Sequence, residues 1–364
     1  MAFLRQIEFT DHQQLQALAR RHGLGVQPYA AWVEKIVRNP LRAGGHSQIS
    51  LGWVLTNESG QIVGQLTNVP IAYRFNCRDY VVTVPSGWAV DREFRDQSLA
   101  LLQAYLQQPG VDLFLTNTAS HEAGRLLLAF KFTRVPVSHY DKPLFWITHP
   151  VGFAASCLRK KRVPGDSLLK YPAGVAIRIL DQIVRWPRRV PAYPEVQILD
   201  DIDSRFDVFW ECMAQDHECL YACRDRSWLK WHCGSRLQEQ RMWLFAASDG
   251  PKLVGYMLVQ RQDADRIGLK RAQVVDLQYP RNSPALSAVL LQAAYRKCQA
   301  AGVHILEAAG FSLWKRGALE SMRPWRRRWS SFPALYKAVS PTLTSALGRD
   351  EAWDLCQFDA DASS

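Results

Sequence analysis

Residues 84–104 read Val-Pro-Ser-Gly-Trp-Ala-Val-Asp-Arg-Glu-Phe-Arg-Asp-Gln-Ser-Leu-Ala-Leu-Leu-Gln-Ala. The stretch begins as an apolar strand, passes through a polar turn at 91–97, and continues as a helix in which Leu99, Leu102 and Leu106 recur at helical spacing. A strand that feeds a helix through a short polar loop suits an anion. The first helical turn has N–H groups without intrahelical partners, and the helix dipole adds positive character there. Arg95 and the amides of Asp96, Gln97, Ser98, Leu99 and Ala100 would converge on a pyrophosphate.

Working outward, the order of elements is strand, two helices, a hairpin, a strand, and then this junction. A strand at 3–9 precedes helices at 11–21 and 29–37. A hairpin follows over 49–56 and 61–73, turning at Asn57-Glu58-Ser59-Gly60, and a further strand covers 79–90. Beyond the helix at 96–107 come a strand at 111–116 and a helix at 120–130, with strands near 134–140 and 144–148 expected to complete a first domain. From Glu195 the order starts again: strand 195–199, helices 205–214 and 227–238, a hairpin over 242–262, strand 273–277, helix 284–300, strand 303–308, helix 312–322 and a last apolar and basic run over 325–339. Two diverged copies of one fold follow from that repetition.

The spacing Arg95, Ser98, Ala100 resembles the acyl-CoA loop of the GCN5-related N-acetyltransferase superfamily, whose pattern is Arg or Gln, two residues, Gly, one residue, then Gly or Ala. Serine replaces the first glycine and is still small enough for a phosphate to approach the backbone. The superfamily's second signature falls on Ser120, Ala123, Leu127, Lys131 and Phe132. Only Ala123 and Phe132 match, Asn117 stands just outside the register, and Leu127 occupies the place of a tyrosine that protonates the departing thiolate. The resemblance implies an α/β (α+β) fold of two tandem domains of this kind, each a mixed, mostly antiparallel sheet flanked by helices. It extends to tandem acyltransferase-like proteins of bacteria, several of them linked to cell-surface polysaccharide or peptidoglycan assembly. The boundaries expected are 1–150 for an acyl-CoA-binding domain, 151–194 for a basic, proline-rich connector, and 195–364 for a degenerate second copy. In that copy the loop reads Gln278-Tyr279-Pro280-Arg281-Asn282-Ser283-Pro284, lacks the pattern, and has prolines that deny backbone donors.

Composition bounds the rest. A chain of 364 residues suits two domains, and 48% hydrophobic residues can bury ample core. No apolar run approaches the ~20 residues that span a bilayer, and the early Arg5, Glu8, Asp11 and His12 argue against a leader, so a cytoplasmic protein is expected. The net charge of +11 concentrates in 151–194, where nine basic residues (Arg159, Lys160, Lys161, Arg162, Lys170, Arg178, Arg185, Arg188, Arg189) face only Asp166 and Asp181. Prolines divide that segment into short pieces. A connector packed on both domains is the expectation, with peripheral contact to an anionic surface as its alternative, since a helix over 175–186 lacks a wide apolar face. Arg326, Arg327 and Arg328 lie in an expected strand, where alternate arginines face solvent, so nucleic acid is not expected as a partner.

The eight cysteines are scattered and expected to be reduced and mostly buried. The cluster of Cys212, His217, Cys219, Cys223, His232 and Cys233 lacks Cys-x-x-Cys spacing. It reads as a buried helical stripe, with no metal. The resemblance implies acetyl-CoA or another acyl-CoA as cosubstrate and direct attack of a small-molecule amine on its thioester. An amino sugar of a surface polysaccharide is the acceptor suggested by analogy. Trp88, Ala89 and Val90 would line the acyl arm and supply the backbone that stabilises the oxyanion, and Asn117 and Ser120 would face the cofactor. Asp91, Glu93, His121 and Glu122 are the candidate bases, each also readable as a solvated or capping residue. Two other readings remain: an aminoacyl-tRNA-dependent transferase of the peptidoglycan-bridge type, and a catalytically silent scaffold.

Overall fold

Near-continuous apolar runs within 52–90 and 242–278, buried along most of their length, build two sheets, and the helical periods between them supply the covering layers. The computed structural model describes residues 2–45, 49–137, 139–164, 166–185, 194–215, 218–329 and 334–359. Trp186, Pro187, Arg188, Arg189 and Pro191 of the expected connector, and His217 of the Cys–His cluster, lie outside the described residues.

The first half contains β1 (Phe3–Gln6), α1 (His12–Arg21), α2 (Tyr29–Val37), α3 (Pro40–Ala43), β2 (Gly52–Thr56), β3 (Ile62–Phe75), β4 (Arg78–Val90), α4 (Ser98–Leu106), β5 (Leu113–Thr116), α5 (His121–Ala129), β6 (Thr133–Arg134) and β7 (Leu144–Ile147). Helices α6 (Pro150–Lys160) and α7 (Asp166–Arg185) follow. The second half contains β8 (Glu195–Leu199), α8 (Arg205–Met213), β9 (Tyr221–Ala222), α9 (Arg226–Gln238), β10 (Met242–Asp249), β11 (Lys252–Arg261), β12 (Arg271–Gln278), α10 (Ala285–Ala300), β13 (Ile305–Ala308), α11 (Leu313–Glu320), β14 (Trp325–Arg326), β15 (Leu335–Ala338) and α12 (Pro341–Ala346).

The first sheet runs β1-β2-β3-β4-β5-β15-β6 with β9 beside β3, and the second runs β14-β7-β13-β12-β11-β10-β8. All pairings are antiparallel except β4 with β5 and β12 with β13. The halves therefore exchange strands. β7 pairs with β13 and β14 of the second sheet, and β15, from near the chain's end, pairs with β5 and β6 of the first. This corrects the expectation that 144–148 completes the first sheet. One buried cluster runs across both halves, from Ile71, Tyr73 and Val82 of the first sheet to Tyr256, Leu258 and Val274 of the second.

Two further expectations change. The segment 151–194 is not cut into pieces at Pro172: that proline sits inside the 20-residue α7, and α6 and α7 pack as a helical pair against Phe145, Ile147 and Ile305 through Phe153 and Ile177. Cys212, Cys219 and Cys223 do not share a helix face, because α8 ends at Met213. Cys212 is exposed, while Cys219 and Cys223 are buried beyond the helix. All eight cysteines are free thiols. Among the described residues no helix is long and apolar enough to cross a membrane, and no three His, Cys, Asp or Glu side chains gather as a metal set.

Candidate active site

β4 pairs with β5 only through Val82–Leu113 and Thr83–Phe114; beyond Thr83 no further residues pair. On its other edge β4 stays paired with β3, with Ser86 opposite Thr67 and Ala89 opposite Gln65. Gly87 and Trp88 together therefore face the single residue Leu66, which is a β-bulge. Glycine is needed there because φ is +58° and an added Cβ would press on Gln65 Nε2 at 3.2 Å. The bulge is clamped from β3: Gln65 Nε2 donates to the Gly87 carbonyl at 3.1 Å, and Thr67 Oγ1 donates to the Ser86 carbonyl at 2.6 Å.

At the end of β4, a 3₁₀ turn over Arg92–Gln97 leads into α4. No side chain caps α4, and the carboxamide of Gln97 instead accepts from the Ala2 amide at 3.1 Å. Arg95, Asp96 and Leu99 are exposed, while Gln97, Ser98 and Ala100 are half-buried. Ala89 and Val90 are buried in the core, and Trp88, at the bulge, is half-buried. Asn117 is buried at the end of β5, and its carboxamide makes no hydrogen bond of ordinary geometry. Ser120 caps α5 by accepting from the Ala123 amide at 3.2 Å. Leu127 is buried among Leu101, Leu102 and Phe132, so its position offers no proton.

On the α1 side of the bulge lies a pocket of about 170 Å³. Ser86 and Gly87 form its floor, and Gln16, Trp32, Arg42, Gln65, Asn68 and Trp231 are among its walls. Trp231 comes from α9 of the second half and is held by donating from Nε1 to the Lys35 carbonyl at 2.7 Å. Gln65 and Asn68 are buried, and Gln65 Oε1 and Asn68 Oδ1 have no partner. Their orientations are set by acceptor partners. Asn68 Nδ2 donates to the Ser50 carbonyl at 3.0 Å and to Gln108 Oε1 at 2.8 Å, so the oxygen must point elsewhere.

None of the four candidate bases lines this pocket. Asp91 ties the end of α1 to the end of β4, accepting from Arg21 at 2.7 Å and His22 at 3.0 Å. Partial burial alone would raise its pKa, but those two bonds prevail and hold the carboxyl below its usual range. Glu93 is exposed in the 3₁₀ turn, and His121 and Glu122 are exposed in the first turn of α5. Backbone and Ser120 hydrogen bonds lower the Glu122 carboxyl. An adjoining cavity of about 320 Å³ shares Gln16, Val26 and Gln27 and adds His12. His12 Nε2 lies 3.0 Å from the Gln27 carbonyl, an acceptor, so Nε2 carries a proton.

The second sheet repeats the geometry and closes it. β12 pairs with β13 only up to Val274–Ala308 and bulges at Val275. Residues 354–356 of the chain itself lie in the opening. The Phe311 amide donates to the Leu355 carbonyl at 2.6 Å and the Ser312 amide to Asp354 Oδ1 at 3.0 Å. Asp354 pairs with Lys315, whose Nζ also donates to Gln278 Oε1 at 2.8 Å. Arg224 Nε donates to Asp276 Oδ2 at 2.9 Å and stacks over Phe358 at 4.7 Å. His232, of the Cys–His cluster, packs on the same Phe358 at 4.3 Å, and burial drives its pKa well below the usual value.

No protein-family profile matches the sequence, and no curated protein does. Solved structures do. A GCN5-related N-acetyltransferase from Anabaena variabilis aligns over 93% of this chain and 73% of its own at 12% identity, with a TM-score of 0.56. This is the fold of the GCN5-related N-acetyltransferases. A probable N-acyltransferase from Enterococcus faecalis aligns over the same shares at 11% identity and a TM-score of 0.58. N-myristoyltransferase from Saccharomyces cerevisiae, solved with myristoyl-CoA, aligns over 93% of this chain and 81% of its own at 10% identity and 0.52. At such identities the likeness to these acyltransferases is one of fold.

In this N-acetyltransferase fold, sequence reasoning reached the loop but missed the pocket. Gly87 was legible in principle, since a glycine inside a strand pattern signals a bulge. Gln16, Gln65, Asn68 and Trp231 carry no local signal, because they meet only when α1, β3 and α9 are assembled.

Proposed function

We propose that the chain is an acyl-CoA-dependent N-acyltransferase whose site is the β4 bulge and the pocket beside it. The observation that carries this reading is the bulge at Gly87 and Trp88, placed where β4 parts from β5 and open towards that pocket. The uncapped first turn of α4, with Arg95 ahead of it, suits a pyrophosphate. An acyl-CoA would supply a thioester carbonyl. An amine in the pocket attacks its carbon: the C–N bond forms, the C–S bond breaks, the amine gives up a proton and the thiolate takes one. A backbone N–H at the bulge donates to the carbonyl oxygen as negative charge builds there. With Leu127 in place of an acid, water protonates the thiolate. His12, which lines the adjoining cavity, accepts the amine's proton.

The pocket's chemistry supports a polar acceptor. Gln65 and Asn68 put polar side chains in its wall, and Arg42 adds further donors. Trp32 and Trp231 add flat apolar walls, and the volume of about 170 Å³ is on the scale of one small ring. An amino sugar has that combination.

The test is calorimetric titration with acetyl-CoA and, separately, a long-chain acyl-CoA. One site per chain is expected, since the second opening is filled by residues 354–356. Ala100→Arg, in the first turn of α4, should abolish binding while leaving the circular dichroism unchanged. Retained affinity in that folded variant would refute the assignment.

A further inference from the structure

The apolar residues of α7 do not all face the protein. Its packed side runs through Gly174 and Ile177: Gly174 lies so close to α6 that a Cβ would meet Val151 at 2.7 Å, and Ile177 joins the Phe145, Ile147 and Ile305 cluster. The opposite side is equally apolar. Leu168, Val175 and Ile179 are 77%, 55% and 49% exposed. With Pro172, also exposed, they stand at spacings of four, three and four, which stacks them in one ridge on the solvent face. Leu169, Tyr171 and Leu180 are exposed on its flanks.

Exposed cations stand at the start and along one edge of that ridge. At the turn between α6 and α7, just before the ridge begins, Arg159, Lys160, Lys161 and Arg162 are consecutive and exposed. Arg178 is exposed beside Val175 and Ile179. Asp181, on the packed side, accepts from Trp325 Nε1 at 2.8 Å and so is turned away. A helix with one face bound to its own protein, the other aliphatic, and cations at its end and edge has the chemistry of an interfacial helix. The ridge centre has no hydrogen-bonding side chain with which a protein groove could fix a register. A fluid layer of acyl chains needs none.

We propose that α7 docks this chain, lying flat, on an anionic lipid surface. The ridge enters the boundary between headgroups and acyl chains, and Lys160, Lys161 and Arg162 meet lipid phosphates. The proposal rests on α7 alone and is independent of acyl transfer.

The experiment is co-sedimentation of the full chain with vesicles of phosphatidylcholine alone and of phosphatidylcholine mixed with phosphatidylglycerol, at low and high salt. The chain should partition into the mixed vesicles, at least tenfold more than into neutral ones. Leu168→Gln, Val175→Gln and Ile179→Gln together should lower that binding at least tenfold without moving the thermal midpoint, because these side chains are already in water. Lys160→Glu, Lys161→Glu and Arg162→Glu together should remove the salt-sensitive part, at roughly fivefold for each cation lost. Failure to sediment with mixed vesicles, or equal binding by the apolar triple variant, overturns the proposal. So does self-association that the apolar variant abolishes, which assigns the ridge to a second copy, and so does RNA binding without vesicle binding. If the apolar variant melts early, the charge-reversal variant decides alone.

Discussion

Replacing Arg224 by methionine, which keeps the length and removes the charge, should destabilise the chain by about 3–5 kcal/mol at pH 7, the cost of breaking a buried ion pair from one side. The arginine is 1% exposed. It donates to Asp276 at 2.9 Å and to the Ala222 carbonyl at 2.8 Å, and lies 3.8 Å from Asp359. Those contacts join β12, the segment after residue 353, and β9 at the margin of the first sheet, so their loss is felt by both halves. Without Arg224 two buried carboxylates lose their guanidinium partner and keep only neutral donors, Tyr256 on Asp276 and Tyr73 on Asp359 among them. Burial already raises the Asp359 carboxyl, whereas at Asp276 the burial penalty is overcome by the Arg224 charge, which holds that carboxyl below its usual value. A carboxyl lowered in the folded state stabilises above its unfolded pKa, and that contribution is lost on acidification. The deficit of the variant should therefore be largest at neutral pH and narrow below about pH 4. Urea unfolding followed by tryptophan fluorescence is the assay: with a slope of about 3 kcal/mol per molar, the midpoint should fall by about 1–1.7 M. A loss below about 1 kcal/mol at pH 7 would refute the view that this buried ion pair ties β9, β12 and the segment after residue 353 together.

Gly87→Ala must hold a left-handed backbone and press on Gln65, at a cost of about 1–2 kcal/mol for the conformation and about 1 for the clamp, read as a lower thermal midpoint together with weaker acyl-CoA binding. An unchanged midpoint would mean that the bulge relaxes. His12→Gln should lower kcat/KM by about 10²–10⁴ with acyl-CoA affinity intact; an unchanged kcat/KM returns the role to Asp91, Glu93, His121 or Glu122. Burial, with His149 alongside, lowers His304 to about 4, and its Nδ1 accepts from the Lys270 amide at 3.3 Å. Between pH 6.5 and 4 the unfolded chain binds a proton that the folded ring resists, so stability should fall on acidification by roughly 1–2 kcal/mol after solvent screening. His304→Gln should flatten that part of the curve of thermal midpoint against pH.

How far the sequence could be read depended on the range of each interaction. The Arg92–Gln97 turn, α4, the hairpin turning at Asp249 and Gly250, and the order of elements after Glu195 follow from residues within a few positions of one another, and all are present. The loss of the second loop was visible in Pro280 and Pro284. Pro172 reads locally as a break, whereas one proline early in α7 removes a single hydrogen bond that packing against α6 outweighs. Gln65 and Asn68 looked like ordinary strand residues, because being unpaired depends on what surrounds an atom.

The amino-acid sequence by itself determined two copies of a strand-and-helix pattern and a strand–turn–helix junction in the first, since periodicity and turn chemistry are local. The tertiary structure alone decided that β7 and β15 change places between the sheets, because nothing within Leu144–Ile147 or Leu335–Ala338 names the strand it pairs with. It also decided that residues 354–356 fill one opening while Trp231 walls a pocket beside the other. Those contacts join residues up to a few hundred positions apart, and only the shared core selects them.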